Sequence, residues 1–120
     1  MSEAETAWLA GWLEGEGSFI VTSGRSRNKR YKRVRINACS TDLDTLEYVQ
    51  ALVGGVVNGP YIRTGGGGKP VYAWSLSTYK SALPVMQQVE PYMISAKRKN
   101  QIRAAIEAAE SLVENGPSYV

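Results

Sequence analysis

Two acids near the start of the chain stand where chemistry could be done. Leu9-Ala10-Gly11-Trp12-Leu13-Glu14-Gly15-Glu16-Gly17 is apolar and small at helical spacing, then ends in two glutamates, each followed by glycine. The pattern reads as a helix that delivers a carboxylate to a fixed place at its C-terminal end. A plain amphipathic helix capped by Gly15 or Gly17 is the alternative reading of the same residues. Ala7, Gly11 and Gly15 recur at every fourth position, so one helix face is nearly bare backbone. Glycine in a helix interior costs about 1 kcal/mol relative to alanine, and the close approach of a second helix would explain why Gly11 is there. The chain has no histidine. That excludes a histidine general base, a zinc-hydrolase site and a His-Asn-His nuclease site. Hydrolysis would have to rest on carboxylates, lysine or metal-bound water.

A second set of residues points to a ligand. Arg25, Arg27, Lys29, Arg30, Lys32, Arg33 and Arg35 follow one another with no acid between them. The other seven basic residues face eleven acids, so the rest of the chain carries 7 − 11 = −4 while the whole carries +3. A basic segment on a mildly acidic body is the electrostatic footprint of a polyanion-binding protein. Within it, Arg33-Val34-Arg35-Ile36-Asn37-Ala38-Cys39 alternates strictly. A strand there places Arg33, Arg35 and Asn37 on one face and Val34, Ile36 and Ala38 toward a core. Two guanidiniums and a carboxamide suit the guanine and adenine edges exposed in a DNA major groove. A merely solvated hairpin face would more often mix the signs of its charges.

The elements that must position these residues can be read in order. Ser2 and Glu5 form a capping box for a first helix running to about Glu14. Residues 18–23 read as a strand, 25–32 as a basic loop and 33–39 as a second strand. Ser40, Thr41 and Asp42 are N-cap candidates for a second helix with the stripe Leu43, Leu46, Val49, Val53, closed by Gly54-Gly55. A second hairpin follows, 56–64 and 71–77 around the turn Gly65-Gly66-Gly67-Gly68, with Tyr72, Trp74 and Leu76 toward the core. A third helix over 79–90 tolerates Pro84 only in its first turn. A last helix over 96–113 buries Ile102, Ala105, Ile106, Ala109 and Val113. The expected fold is α+β, one domain over 1–120: a four-stranded antiparallel sheet with helices on one face. No run approaches the ~20 apolar residues of a membrane span. Glu3 and Glu5 stand where a signal peptide would be basic. The lone Cys39 precludes an internal disulfide and fits a reducing, intracellular compartment.

Taken together, these features resemble the LAGLIDADG homing endonuclease family. The likeness begins at residues 9–17, read as Leu-Ala-Gly-x-x-acid-Gly-acid-Gly and followed by Ser18-Phe19. It continues through Ser40-Thr41-Asp42, Leu52-Val53-Gly54-Gly55 and Pro91-Tyr92 to Lys97. The resemblance implies an αββαββα core plus a C-terminal helix, with the sheet lying in the major groove of double-stranded DNA. One motif per chain is similar to the homodimeric members, which implies a two-fold dimer through Ala7, Trp8, Gly11, Trp12 and Gly15. A (pseudo)palindromic target follows from that symmetry.

The site roles implied are as follows. Glu16 takes the place of the metal-binding acid, where aspartate is more common, with the Gly15 carbonyl as a further ligand. Mg²⁺ is the expected cofactor, and Mn²⁺ or Ca²⁺ could also bind. Hydrolysis of a phosphodiester in each strand would leave 3′ overhangs. Glu14 matches an acid with a capping, more structural role. Lys97 matches a lysine near the scissile phosphate, with Arg98 or Lys99 as alternatives after a one-residue shift. Ser40 or Thr41 occupies the place where the family often has a water-positioning glutamine. On the sheet, Thr22, Arg33, Arg35, Asn37, Tyr61, Arg63 and Ser75 are expected to touch DNA. Arg25, Arg27, Lys29, Arg30, Lys32 and Lys69 add contacts mainly to phosphates. Two other readings use the same fold: a DNA-binding protein that does not cleave, and a maturase acting on intron RNA. No membrane partner is expected. The gene context, intron, intein or free-standing, is not legible in these residues.

Overall fold

The structure is a computed structural model and describes residues 1–27, 29–62, 68–116 and 118–119. Helix α1 (Glu3–Glu16) opens on the capping box: the Glu5 amide donates to Ser2 Oγ at 3.0 Å, and the Ser2 amide donates to Glu5 Oε1 at 2.7 Å. It buries Thr6, Leu9, Ala10 and Leu13. The helix runs past Glu14, so Glu16 is its last residue.

Strand β1 (Gly17–Ser26) follows without a loop and pairs with β2 (Lys29–Ser40) in unbroken antiparallel register, from Gly17 opposite Ala38 to Ser26 opposite Lys29. The basic loop expected over 25–32 is therefore the outer end of a long β-hairpin. Charge density opposes burial, not strand pairing. Successive side chains leave opposite faces of the ribbon, so cations adjacent in sequence point apart, although Arg25 and Arg30 stand directly opposite each other across the hairpin.

Helix α2 (Leu43–Val53) is capped by Asp42, whose Oδ1 accepts from the Thr45 amide at 3.4 Å and whose Oδ2 accepts from Thr45 Oγ1 at 2.8 Å. Gly54 and Gly55 end it with φ of 81° and 101°. A Cβ on Gly55 would lie 2.7 Å from the Trp74 indole nitrogen, which donates to the Gly54 carbonyl at 2.9 Å. Only glycine lets the chain close over the buried tryptophan.

Strands β3 (Val56–Ile62) and β4 (Pro70–Leu76) form the second hairpin, with a register shift between Asn58 and Tyr61. Of the turn expected at 65–68, residues 65–67 lie outside the described residues and Gly68 has φ of 78°. The sheet order is β1-β2-β4-β3, antiparallel throughout, and a two-residue β5 (Ser118–Tyr119) adds to β2 at Arg30 and Tyr31. Ser118 and Tyr119 are too short a run to carry a strand signal, and β5 is not among the expected elements.

Helix α3 (Tyr79–Val89) carries Pro84 in its second turn, beyond the first turn that the sequence reading allowed. Pro84 is exposed, and the buried face of Ala82, Val85, Met86 and Val89 holds the helix despite one missing N–H donor. A 3₁₀ turn (Glu90–Tyr92) leads to α4 (Ala96–Asn115). There Val113 is 60% exposed and Leu112 is buried in its place. After Ala109 the helical stripe continues at the third residue and not at the fourth.

All four helices pack on one face of the sheet. Phe19, Val34, Ile36, Ala38, Trp74 and Leu76 point from the strands into a core shared with Leu9, Leu13, Leu46, Val49, Met86 and Ile102. The opposite face stays open. Among the described residues no helix is long and apolar enough to cross a membrane.

Candidate active site and nucleic-acid interface

The end of α1 is tied to the start of α4. Glu14 Oε2 accepts from the amides of Ile94 (2.6 Å) and Ser95 (2.8 Å), so one carboxylate caps the approach to α4. The Ser95 and Ile94 amides hold its carboxyl below the ordinary value, and the charges of Lys99 and Arg98 pull in the same direction. Arg98 completes the joint: its Nε donates to the Glu14 carbonyl at 3.0 Å and its Nη1 to Gln101 Oε1 at 2.9 Å. Gln101 Oε1 also accepts from the Phe19 amide at 3.3 Å, where β1 leaves the helix. Glu14 is thus the cap its place in the motif suggested. Arg98 is engaged in this joint, which leaves Lys97 and Lys99 as the exposed cations of the first turn of α4. Gln101 was missed by the sequence reading, because a glutamine on a helix carries no signal of its partner.

Glu16, two residues on, projects differently. It is exposed and makes no hydrogen bond or ion pair among the described residues. It lines an open hollow of about 580 Å³ with Trp8, Trp12, Cys39, Ser40, Thr41, Asp42, Thr45 and Val71. The structure therefore brings together Glu16, Ser40 and Thr41, residues from the end of α1 and the β2–α2 connection. Ser40 Oγ accepts from the Asp42 amide at 2.9 Å, which fixes its hydroxyl beside the hollow. Lys97 does not line this hollow. Asp42 and Cys39 do, and were not assigned there from sequence. The sequence context of Asp42 signals only a helix cap.

The donor set fits a hard cation. Glu16 offers carboxylate oxygen, and Gly15 sits in the last turn of α1, where backbone carbonyls lack the amides of a next turn. Mg²⁺ is usually held by one or two carboxylates with the remaining positions left to water and phosphate oxygens. Among the described residues no three acid, cysteine or histidine side chains form a cage. One copy of the chain would thus supply one carboxylate to such a cation and leave the other positions open.

The stripe Ala7, Gly11 and Gly15 lies exposed on α1. A Cβ added at Gly11 or Gly15 would meet nothing within 4 Å. Beside it Trp8, 41% exposed, stacks on Trp12 (6.1 Å between rings, 7° between planes) and meets the edge of Tyr48 at 5.0 Å. Trp12 in turn packs edge-on against the buried Trp74. The five residues expected at a dimer contact thus lie along one helix, with both glycines open to a partner.

The open face of the sheet collects six of the residues expected to meet DNA: Thr22, Arg33, Arg35, Asn37, Tyr61 and Ser75. Thr22 is opposite Arg33, and Ser18, Asn37 and Ser75 form one row across three strands. Thr22, Arg33 and Arg35 line a shallow depression with Ser77. Tyr61 stands opposite Val71 on the same face, 54% exposed. Lys69 is exposed just before β4. Arg63 and the side chain of Lys29 lie outside the described residues. Arg27 is exposed at the hairpin turn, with φ 49°. Arg25, Arg30 and Lys32 follow the register of the core face, and Lys32 borders Ser111, Leu112, Asn115 and Gly116 at the end of α4. The strand alternation thus divides a basic run that looked uniform as a loop. Ile20 and Tyr31 share the face of Arg33 and Arg35. Apolar and aromatic residues gave no binding signal in the sequence.

The profile of the LAGLIDADG endonuclease family matches residues 9–108. No curated protein sequence matches the chain. Among solved structures, the homing endonuclease I-CvuI in complex with the I-CreI target superposes with a TM-score of 0.73 at 18% identity, covering 95% of this chain and 71% of that one. The homing endonuclease I-TnaI gives 0.73 at 16% identity, over 91% of this chain and 74% of that one. The I-SmaMI LAGLIDADG homing endonuclease bound to cleaved DNA gives 0.73 at 16% identity, over 91% of this chain and 37% of that one. With the fold shared at this level and the family profile covering most of the sequence, the chain belongs to the LAGLIDADG endonuclease family.

Proposed function

We propose that two copies of this chain join along the Ala7/Gly11/Gly15 face and act as a site-specific endonuclease on double-stranded DNA. Divalent metal, Mg²⁺ first, would be held at Glu16 and the Gly15 carbonyl, and the cuts would leave 3′ overhangs. The observation that carries the reading is the position of Glu16: it ends a helix whose small-residue face is exposed, and among the described residues no group engages it. A two-fold axis through that face would bring a second Glu16 close to the first. Two carboxylates so placed repel one another unless cations lie with them.

When bound, such a cation supplies charge neutralisation at the scissile phosphate and activation of water. The chain's own groups do the rest. Ser40 and Thr41 hydroxyls orient the attacking water from the β2–α2 connection. Lys97 offers an ammonium to the phosphate oxygens as charge develops on them. The water oxygen forms the new bond to phosphorus, the bond to the 3′ oxygen breaks, and that oxygen leaves with a proton as a 3′-hydroxyl. Arg33, Arg35 and Asn37 fix which duplex presents its phosphates there. The reading places the protein in an intracellular compartment and ties it to the mobility of an intron or intein.

A randomised duplex library incubated with Mg²⁺, followed by sequencing of the ends, tests it. Wild type is expected to cut one family of related sites, and Glu16→Gln to bind the same duplex without cutting it. If Glu16→Gln cuts as wild type does, the role of Glu16 is wrong. If wild type binds a duplex but never cuts it, the chain is a non-cleaving DNA-binding protein, and capture of intron RNA in preference to duplex would make it a maturase.

A further inference from the structure

On the open face of the sheet, one glycine and one tyrosine are fitted to each other. Gly24 on β1 stands opposite Tyr31 on β2. A Cβ on Gly24 would fall 2.4 Å from both Cζ and Oη of Tyr31 and 3.0 Å from Cε1. The tyrosine ring therefore lies across the bare backbone of Gly24. No left-handed backbone calls for glycine at this position; the ring does. β1 is the edge strand of the sheet, and an aromatic ring laid over an edge glycine covers backbone that would otherwise be open. The ring has a second neighbour. The Arg33 guanidinium carbon sits 5.2 Å from the ring centroid, within the range of a cation–π contact. Arg33 is exposed, faces outward with Arg35 and borders the depression shared with Thr22 and Ser77.

An exposed arginine on a strand has many rotamers, and ordering it on DNA costs conformational entropy. A ring beneath one side of the guanidinium removes part of that freedom before DNA arrives. The planar fork is then presented edge-first, which is how arginine meets the O6 and N7 acceptors of guanine. We infer that Tyr31, seated on Gly24, is a positioning residue that holds Arg33 as the reader of one guanine in each half of the DNA target. The inference rests on the reading of the sheet as a DNA-binding face. It also places the guanine. Arg33 is seven residues along β2 from Ser40 at the hollow, or about 23 Å at strand rise. That is on the order of seven base-pair steps from the cleavage centre, and fewer if the strand crosses the groove obliquely.

The test is selection from a randomised duplex library by retention on the protein, with base preference read position by position. It is run on wild type, Arg33→Ala, Tyr31→Phe, Tyr31→Ala and Gly24→Ala. Wild type should enrich a guanine at an outer position of each half-site. Arg33→Ala should lose that preference alone. Tyr31→Ala should weaken it roughly two- to five-fold, the equivalent of an exposed cation–π contact, and leave other positions as they were. Gly24→Ala, which fills the seat of the ring, should match Tyr31→Ala. Tyr31→Phe should keep the preference. Thermal unfolding of each variant identifies any general loss of fold, and Tyr31→Phe and Gly24→Ala keep the comparison open if Tyr31→Ala folds poorly. An outer guanine that survives in Tyr31→Ala and Gly24→Ala but falls in Arg33→Ala overturns the role of Tyr31. A guanine insensitive to Arg33→Ala overturns the assignment of Arg33. A wild type that retains no duplex at all overturns the DNA-binding reading itself.

Discussion

Gly11 offers a perturbation whose effects on folding and on assembly have opposite signs. Within one chain, a Cβ there meets nothing within 4 Å, and the residue lies in the middle of α1. Gly11→Ala should therefore stabilise the isolated chain by about 1 kcal/mol through helix propensity, raising its melting temperature by roughly 4 °C at this size. Gly11→Leu should be tolerated by the single chain for the same reason, since its side chain enters solvent. In a two-fold dimer, each copy adds its leucine to the same contact. Overpacking costs about 1–3 kcal/mol per site, so the pair costs about 2–6 kcal/mol, or roughly thirtyfold weaker association at the lower bound. Light scattering over a concentration series measures the association, and melting at concentrations where only monomer scatters measures the chain alone. The expected result is a Gly11→Leu protein that folds, stays monomeric where wild type is dimeric, and does not cut DNA. A Gly11→Leu protein that dimerises and cuts like wild type would refute the packing argument. So would a monomeric Gly11→Ala that melts below wild type, since that would mean the face is already occupied within the chain.

Two further outcomes are expected. The Glu14 carboxyl is held below its ordinary value of 4.5 by amide donors that exist only in the folded chain. Its contribution to stability is therefore present above that value and is lost as pH falls through the lower folded value. Denaturation of wild type and Glu14→Gln should show a gap at neutral pH that closes on acidification below about 4.5; a constant gap down to about pH 3 would refute the linkage. On the second hairpin, the outward residues Val56, Tyr61, Val71 and Ala73 are apolar or aromatic and suit the thymine methyl group. Replacing thymine by uracil in the part of each half-site under β3 and β4 should weaken binding by about fourfold per contacted methyl. Equal binding of the uracil duplex would show that this hairpin reads something else.

Much of the fold was legible because periodicity reports which side of an element is buried. The capping box at Ser2, the alternation from Arg33 to Cys39 and the stripe of α4 up to Ala109 were all read correctly from residue type alone. The errors have separate physical causes. The outer part of the first hairpin is strand because its backbone pairs, although its composition is that of a solvated loop. Pro84 sits inside α3 because tertiary packing of the buried face outweighs a local preference. At the site, Glu16 is legible as an acid delivered at the end of a helix, whereas Ser40 and Thr41 read from the residues alone as N-cap candidates and enter the site only through the family resemblance. Arg98, Gln101 and the Gly24–Tyr31 pair are not legible, because each depends on a partner many residues away or across a strand.

The division of β2 between its two faces has a consequence for how such a protein can change. Val34, Ile36 and Ala38 are buried, while Arg33 and Arg35 are exposed on the other side and Asn37 is half-buried there. On the proposed reading of this face, substitution at the outward positions would alter which duplex is bound and leave the hydrophobic core untouched, so new targets would be reachable in single steps at little cost to folding. Insertion or deletion of one residue between Tyr31 and Asn37 would exchange the two sets, turning arginines inward and the core outward. The lineage of such a protein should therefore record diversity of side chain at fixed length along this strand, with changes of length confined to the hairpin turns.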